Sequence, residues 1–221
     1  MSSSARRLPA AILFDNDGVL VDTEALYFHA NREILATIGV TLDEAAYIEL
    51  FLRSGRGAWH LAEALGHAED AVRALRAARN RRYLELVSDA GASVRMPRAL
   101  EIVTALARRY RLAIVTSAEP EPFARSHAAT GLLPHFDVVL TRDCYQRSKP
   151  DPEPYLCAME RLGLPPAQCL VIEDSRRGLE AARAAGIACW VIPSGLTAGE
   201  SFDGADAILA NLDAAAARLL A

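Results

Sequence analysis

The chain's most informative stretch reads Ala11-Ile12-Leu13-Phe14-Asp15-Asn16-Asp17-Gly18-Val19-Leu20-Val21-Asp22-Thr23-Glu24. Residues 10–14 are apolar at every position, which is the pattern of a buried parallel β-strand. Two carboxylates, Asp15 and Asp17, follow directly, and Gly18 permits a sharp turn behind them. Open α/β sheets bind ligands at the carboxyl ends of their strands. The stretch therefore predicts a strand that delivers two acids to a ligand site.

The spacing of these two acids bears on their chemistry. If the strand simply continues, backbone alternation places Asp15 and Asp17 on the same side of the chain, where their charges repel. A divalent cation relieves such repulsion, and Mg²⁺ binds a few carboxylate oxygens while water and substrate phosphate complete its octahedron. A polar turn with two solvated aspartates is the alternative interpretation of this stretch alone.

Two later apolar runs also end in polar side chains. One is followed by Thr116 and Ser117, and the other, which begins at Cys169, is followed by Glu173 and Asp174. Both patterns are typical of buried parallel strands with polar groups at their carboxyl ends. Taken singly, the hydroxyls would be ordinary strand-end groups, and the acids would be a pair at a helix N-terminus.

Lys149 is the only lysine in the chain. It lies in Ser148-Lys149-Pro150-Asp151-Pro152, a loop fixed by its prolines ahead of a helical pattern. An ammonium is a compact charge that a phosphate oxygen and an aspartate can share, whereas the guanidinium of arginine is a wider planar fork. A lysine taken alone is usually a surface residue. Along the chain, however, two acids are followed by two hydroxyls, a lysine and two further acids. This order favours a phosphate-binding site.

These four motifs resemble the haloacid dehalogenase superfamily of phosphotransferases, in the branch with a helical cap inserted after the first motif. That branch includes beta-phosphoglucomutases, phosphoglycolate phosphatases and sugar-phosphate phosphatases. The resemblance covers nearly the whole chain and implies an α/β fold, with a doubly wound parallel sheet as a Rossmannoid core and an inserted α-helical cap domain. The residues that carry it are 15–24, Thr116-Ser117, Lys149-Pro150-Asp151-Pro152, and Ile172-Glu173-Asp174-Ser175 leading through Gly178 to Gly186.

The resemblance also implies roles for the motif residues. Asp15 would be the nucleophile that takes up the phosphoryl group, and Asp17 the general acid and base. Thr116 and Lys149 would be catalytic residues that stabilise charge on the transferring group. One position, Asn16, departs from the family pattern, which usually has a hydrophobic residue or cysteine there. We expect its side chain to point away from the metal and the departure to be tolerated.

Mg²⁺ is the cofactor that the resemblance implies. It would be held by the carboxylate of Asp15, the backbone carbonyl of Asp17 and the carboxylate of Asp174. Glu173 would contribute to the metal site directly or through water.

After Glu24 the sequence pattern changes from short apolar runs to helical periodicity. This part of the chain is rich in alanine and arginine. We predict a helical cap domain over residues 24–91 and an α/β core domain over residues 1–23 and 92–221. Within the core we predict helices over 98–109, 121–130, 155–162 and 176–185 and a helix at the C-terminus, with strands over 112–115, 136–141, 170–172, 188–192 and 207–209.

A loop of the predicted cap carries a candidate for substrate selection. Arg56 stands between Gly55 and Gly57, and a flexible loop with a guanidinium could bind a distal phosphate or a sugar hydroxyl when the cap closes. The family places its substrate-selecting loop about here, although an ordinary helix connection is equally compatible with the pattern. Glu24 and Ser117 complete the predicted substrate-binding set.

Composition excludes several classes of protein. The chain has 221 residues, 52% of them hydrophobic, and a formal net charge of −4, so it can bury a core but presents no basic field for nucleic acid or an anionic membrane. Its four cysteines form no CxxC pair, and no apolar run is long enough for a membrane span. We expect a soluble cytoplasmic enzyme with a small phosphorylated substrate. The sequence does not predict its oligomeric state.

Mg²⁺-dependent hydrolysis of a small phosphate monoester, of the sugar-phosphate or phosphoglycolate type, is the predicted function. A dehalogenase needs no acid at Asp17, and a phosphonate hydrolase of this superfamily needs a cap lysine that the chain lacks. A phosphohexomutase shares all four motifs, but mutases of this branch carry a histidine where this chain has Tyr27. An aspartyl-phosphate receiver module, the alternative from another class, has its acidic pair early and its lysine last.

Overall fold

The structure is a computed structural model that describes residues 8–193, 195–197 and 199–221. The described chain contains six β-strands and nine α-helices. The strands are β1 Ala11–Phe14, β2 Arg111–Val115, β3 Val138–Leu140, β4 Cys169–Glu173, β5 Ala188–Val191 and β6 Ala207–Ile208. The helices are α1 Glu24–Ala36, α2 Glu44–Tyr47, α3 Trp59–Ala64, α4 Glu69–Ala90, α5 Ala99–Leu106, α6 Pro120–His127, α7 Glu153–Leu162, α8 Arg176–Ala184 and α9 Leu212–Leu220.

All six strands form one parallel sheet in the order β3-β2-β1-β4-β5-β6. The first strand therefore lies in the interior, where Phe14 pairs with Ile114 of β2 on one side and with Ile172 of β4 on the other. The predicted doubly wound parallel sheet is confirmed. The predicted core elements are present with ends that differ by a few residues, as is usual where helices and strands fray.

The two faces of the sheet are covered by different helices. Alternate residues of β1 point in opposite directions, so Ile12 and Phe14 join one apolar cluster while Ala11 and Leu13 join another. Helices α5, α6 and α9 contribute to the first cluster, and α7 and α8 to the second. Because β1 is covered on both faces, it has no polar position until the chain reaches Asp15.

The chain divides into two compact units. The core unit comprises Met1–Asp22 and Arg95–Ala221, and the cap unit comprises Thr23–Val94. The sequence predicted the boundaries between the core and cap domains after residues 23 and 91. Val21 and Arg95 form an antiparallel bridge within the core unit, so the chain leaves and re-enters this unit at adjacent points.

The cap unit is helical and has its own aromatic interior. Helix α2 continues as a π-helical turn, Ile48–Arg53, and α1 packs against the long helix α4. The rings of Tyr47 and Phe51 stack at 4.6 Å, and Tyr27 meets Tyr83 edge-on at 5.2 Å. The π-helical turn ends at Arg53, just before the loop that carries Arg56. Among the described helices, none is both long and apolar enough to cross a membrane.

Candidate active site

The parallel register brings three strand ends together at one edge of the sheet. Phe14 is level with Ile114 and Ile172, so Asp15 emerges between the ends of β2 and β4. Glu173 is the last residue of β4, and Thr116 directly follows β2. Residues that are far apart in the sequence therefore meet here because the strands that carry them are parallel neighbours.

Lys149 lies at the centre of this edge with its ammonium group buried. Its Nζ donates to Oδ1 of Asp15 at 2.5 Å, to Oε1 of Glu173 at 2.6 Å and to the carbonyl of Val115 at 2.9 Å. Burial opposes the charged form of Lys149, but the two carboxylates outweigh it and raise the pKa of the ammonium. Burial likewise opposes ionisation of Glu173, but Lys149 leaves the pKa of that carboxyl below its ordinary value. Lys149 therefore stabilises both carboxylates, which repel each other.

Glu173 is fully buried and accepts hydrogen bonds at both oxygens. Besides Lys149, Oε1 accepts from the hydroxyl of Tyr155 at 2.7 Å. Oε2 accepts from the backbone amides of Asp174 and Ser175 and from the Ser175 hydroxyl at 3.0 Å. The Ser175 hydroxyl also caps helix α8 by accepting from the amide of Gly178. This network fixes the carboxylate against the first turn of α8.

Three carboxylates of this edge could hold a metal ion. One oxygen each from Asp15, Glu173 and Asp174 lies within 4.8 Å of the others. Hard carboxylate oxygens suit Mg²⁺, and the partly exposed Asp15 and Asp174 leave room for its other ligands. The side chain of Asp17 is not in this group. Burial raises the pKa of Asp15 to about 7 against the effect of Lys149, so a nearby cation would favour its ionised form.

The predicted hydroxyl groups follow β2. The Oγ1 of Thr116 is buried and accepts from the amide of Ala118 at 3.0 Å, so the proton of this hydroxyl remains for donation. The Thr116 carbonyl accepts from the hydroxyl of Tyr145 at 2.7 Å, and its amide donates to Leu140. Ser117 is exposed. Thr116 is therefore held firmly at the strand end.

Asn16 makes side-chain hydrogen bonds that the sequence did not predict. Strand alternation directs its side chain to the α6 face, opposite Asp15, yet its Nδ2 donates to Oδ2 of Asp17 at 3.2 Å. Its Oδ1 lies 2.7 Å from Nε2 of His127. We expected the side chain to point away from the metal; its amide bonds the carboxylate of Asp17, which is not among the carboxylates that could hold a metal ion. Asn16 is therefore part of the site's hydrogen-bond network.

The two remaining candidates belong to the cap unit. Glu24 begins α1, and its carboxylate accepts a short hydrogen bond from the buried hydroxyl of Tyr47. Arg56 is exposed in a loop whose flanking residues, Gly55 and Gly57, have φ values of 63° and 71°. These left-handed conformations favour glycine at both positions. The roles of Glu24 and Arg56 toward substrate stay predictions.

Sequence reasoning missed several polar residues around these groups. Tyr155 lies in the apolar face of α7, where only its hydroxyl distinguishes it from a packing residue. Arg79 is buried within the cap unit, 4.5 Å from the ring centre of Tyr27, and bonds Asn31 at 3.0 Å. An arginine in an alanine- and arginine-rich helix gives no sequence signal of burial.

Comparison with known proteins identifies the family of the chain. The profile of the haloacid dehalogenase-like hydrolase family matches residues 9–186. Protein CbbY of Rhodobacter capsulatus is 34% identical, over 95% of this chain and 96% of its own length. The fructose-1-phosphate phosphatase YqaB of Escherichia coli is 33% identical, over 80% of this chain and 93% of its own length.

A solved structure extends the comparison to the fold. The crystal structure of CbbY from Rhodobacter sphaeroides in complex with xylulose-(1,5)bisphosphate superposes with a TM-score of 0.79 at 30% identity, covering 93% of this chain and 95% of that one. The profile match spans both the first strand and the loop of Lys149. The chain therefore belongs to the haloacid dehalogenase-like hydrolase family and is a phosphoric monoester hydrolase, as its sequence predicted.

Proposed function

We propose that this hydrolase cleaves a small phosphorylated sugar in a Mg²⁺-dependent reaction that passes through an aspartyl-phosphate on Asp15. The observation that carries the proposal is the buried ammonium of Lys149, hydrogen bonded to both Asp15 and Glu173. A cation next to a nucleophilic carboxylate reduces the repulsion between that carboxylate and the negative phosphate ester. The same edge carries the carboxylates suited to a metal ion.

Asp15 and Asp174 are the carboxylates that would hold Mg²⁺, together with the backbone carbonyl of Asp17. Both oxygens of Glu173 already accept hydrogen bonds, so Glu173 serves to anchor Lys149 and contributes to the metal through water. When bound, Mg²⁺ would supply positive charge to the transferring phosphoryl group.

The protein groups account for both half reactions. A carboxylate oxygen of Asp15 forms a bond to phosphorus while the bond between phosphorus and the ester oxygen breaks, and Asp17 gives its proton to the departing alcohol. Asp17 then takes a proton from water, whose oxygen attacks phosphorus and releases inorganic phosphate from Asp15. The Thr116 hydroxyl and Lys149 donate to the phosphoryl oxygens in both steps.

The substrate class is proposed from the relatives. One is named for fructose 1-phosphate and another was crystallised with a pentulose bisphosphate. A sugar phosphate is therefore a better candidate than phosphoglycolate. Selection among sugars would fall to the cap unit, with Glu24 and Arg56 as substrate contacts and Ser117 contributing from the core unit.

A screen of sugar phosphates with Mg²⁺ tests the proposal. Wild-type protein should release phosphate, chelator should stop the reaction, and brief incubation with ³²P-labelled substrate should label the protein in a hydroxylamine-sensitive bond. Asp15→Asn should abolish both signals, whereas Asp22→Asn, which changes an exposed aspartate of the same segment, should retain them. Turnover by Asp15→Asn within a tenth of the wild-type kcat would contradict the mechanism.

The same screen separates hydrolysis from the mutase alternative. Tyr27, which replaces the histidine of mutases, packs against Tyr83 and Phe51 and so has a packing role in the cap unit. Glucose 1-phosphate with a trace of hexose bisphosphate should therefore yield phosphate slowly or not at all. Rapid formation of glucose 6-phosphate without stoichiometric phosphate would identify a phosphohexomutase instead.

A further inference from the structure

A buried chain of hydrogen bonds runs from helix α6 to the carboxylate of Asp17. Thr130 Oγ1 lies 3.1 Å from Nδ1 of His127, whose Nε2 lies 2.7 Å from Oδ1 of Asn16. Asn16 Nδ2 then reaches Oδ2 of Asp17 at 3.2 Å. Thr130, His127 and Asn16 are exposed by only 0%, 4% and 1%, so water does not compete for these bonds. The chain begins inside the protein and ends at the site.

The direction of these hydrogen bonds follows from the chemistry of the groups. A carboxylate oxygen accepts, so the amide nitrogen of Asn16 faces Asp17 and its amide oxygen faces His127. Nε2 of His127 must then carry the ring proton, which leaves Nδ1 as an acceptor. The Thr130 hydroxyl lies 3.1 Å from this Nδ1 and 3.2 Å from the His127 carbonyl, so its one proton is shared between these two acceptors. Burial lowers the pKa of His127 to about 4, which keeps the ring neutral with a single N–H, as this arrangement requires.

Thr130 is itself fixed at the other end of the chain. Its backbone carbonyl accepts from the guanidinium of Arg95 at 2.7 Å, and its Oγ1 accepts from the amide of Leu132 at 3.3 Å. His127 is further confined by the ring of Phe123, 4.5 Å away between centroids. Each group of the chain is therefore held by packing or by a second hydrogen bond, so the Asn16 amide has little freedom to rotate.

We infer that Asn16 and His127 are positioning residues that orient the carboxylate of Asp17 for proton transfer. With Oδ2 accepting from Asn16, the proton of the acid form is carried by the other oxygen, Oδ1. The same hydrogen bond stabilises the carboxylate that remains after the alcohol has left. This inference rests on the acid and base role proposed for Asp17. The inference explains why this chain has a polar residue, Asn16, at a position where the family usually has a hydrophobic residue or cysteine.

The test compares esters that differ in their need for an acid. An alkyl phosphate such as fructose 1-phosphate has a poor leaving group that must be protonated, whereas para-nitrophenolate leaves without a proton. We use kcat/KM because it reports phosphoryl transfer to Asp15 and not the later hydrolysis. Asn16→Leu should lower kcat/KM for the alkyl ester by about tenfold or more and that for para-nitrophenyl phosphate by less than about threefold.

A double variant separates positioning from stability. Asn16→Leu leaves the N–H of His127 buried without an acceptor, so its melting temperature should fall. Asn16→Leu with His127→Leu removes both partners and should recover much of that melting temperature without recovering activity on the alkyl ester. Equal losses on both esters would overturn the inference, and so would recovery of activity together with stability.

The Asp17→Asn variant separates failure of the positioning inference from failure of the proposed function. If Asp17→Asn discriminates between the two esters but Asn16→Leu does not, the acid role of Asp17 stands and only the inference is wrong. If Asp17→Asn lowers kcat/KM equally for both esters, the proposed acid role is wrong, and the inference falls with it.

Discussion

The ammonium nitrogen of Lys149 lies 2.5 Å from Oδ1 of Asp15 and 2.6 Å from Oε1 of Glu173, so one buried cation bridges the two carboxylates. The cation is essential to this cluster, because removing Lys149 leaves two carboxylates that repel each other in the interior. The stability of the core unit and the chemistry of the site therefore depend on the same three side chains.

Replacing Lys149 should damage both properties. Lys149→Met should lower kcat/KM by about 10²-fold or more through loss of a charged donor to phosphate, and destabilise the protein by about 3–5 kcal/mol. The checks are steady-state kinetics and urea unfolding at neutral pH. Arg147→Met, which removes the exposed neighbouring charge, should leave the urea midpoint essentially unchanged. Wild-type stability of Lys149→Met would disprove the coupling.

Gly178 should tolerate no side chain although it lies in a helix. Alanine normally stabilises a helix over glycine by about 1 kcal/mol. Here a Cβ would overlap the carboxyl group of Glu173, which five donors hold in place. Gly178→Ala should therefore destabilise the protein by about 2–3 kcal/mol or more and abolish turnover.

The matched control for this substitution is Gly199→Ala. A Cβ there meets no heavy atom of the described residues within 4 Å, so we expect unchanged activity and stability. Thermal unfolding of both variants compares the two sites. A Gly178→Ala protein as stable as the Gly199→Ala protein would show that Glu173 can move and that the network is not rigid.

Asp15 should make the stability of the metal-free protein depend on pH. Its pKa is raised from 3.8 to about 7, first because the carboxyl is buried, so the folded state binds the proton more tightly than the unfolded state. Stability should therefore be highest below pH 4 for this group and fall by up to about 4 kcal/mol as pH rises to about 7. Urea unfolding of wild type and Asp15→Asn from pH 4 to 8 isolates this contribution, because the variant lacks it. A constant difference between the two would contradict the shift.

Mg²⁺ should offset that loss. Metal binding requires ionised ligands, so added Mg²⁺ should raise the melting temperature at pH 8 more than at pH 5.5. Asp174→Asn should remove the effect, while Glu160→Gln, an exposed carboxyl on α7, should retain it. An equal shift in wild type and Asp174→Asn would place the metal elsewhere.

Arg56 should contribute to substrate selection if the cap loop contacts the sugar. Arg56→Ala should reduce kcat/KM for the true substrate by about tenfold to a thousandfold, the range expected when a charged hydrogen-bond partner is lost. Arg53→Ala is the matched control, since Arg53 is exposed at the end of the π-helical turn that precedes the loop and pairs with Glu49. Similar kinetics for the two variants would show that Arg56 is an ordinary surface residue that does not contact substrate.

The sequence predicted the centre of the sheet because β1, β2 and β4 are apolar runs that lead directly to Asp15, Thr116 and Glu173. Asp15, Lys149 and Glu173 could be named together only because parallel strands bring their carboxyl ends to one edge. What the sequence could not show is the direction of individual bonds. The sequence does not show whether the amide of Asn16, directly after β1, faces solvent or Asp17. The burial of His127 likewise depends on how α6 packs against the sheet.

The buried His127 should make the folded protein less stable at acid pH. Burial lowers its pKa to about 4 from an ordinary 6.5, so the folded state favours the neutral ring and its stability is complete above pH 6.5. As pH falls from 6.5 to 4, the unfolded chain takes up a proton that the buried ring resists, and stability decreases. Between pH 7 and 4.5, wild type should lose about 2–3 kcal/mol more than His127→Gln. Urea unfolding at both pH values measures this difference. His67→Gln, which removes a partly exposed histidine of the cap unit, should behave as wild type, and an equal loss in wild type and His127→Gln would show that the ring is charged in the fold.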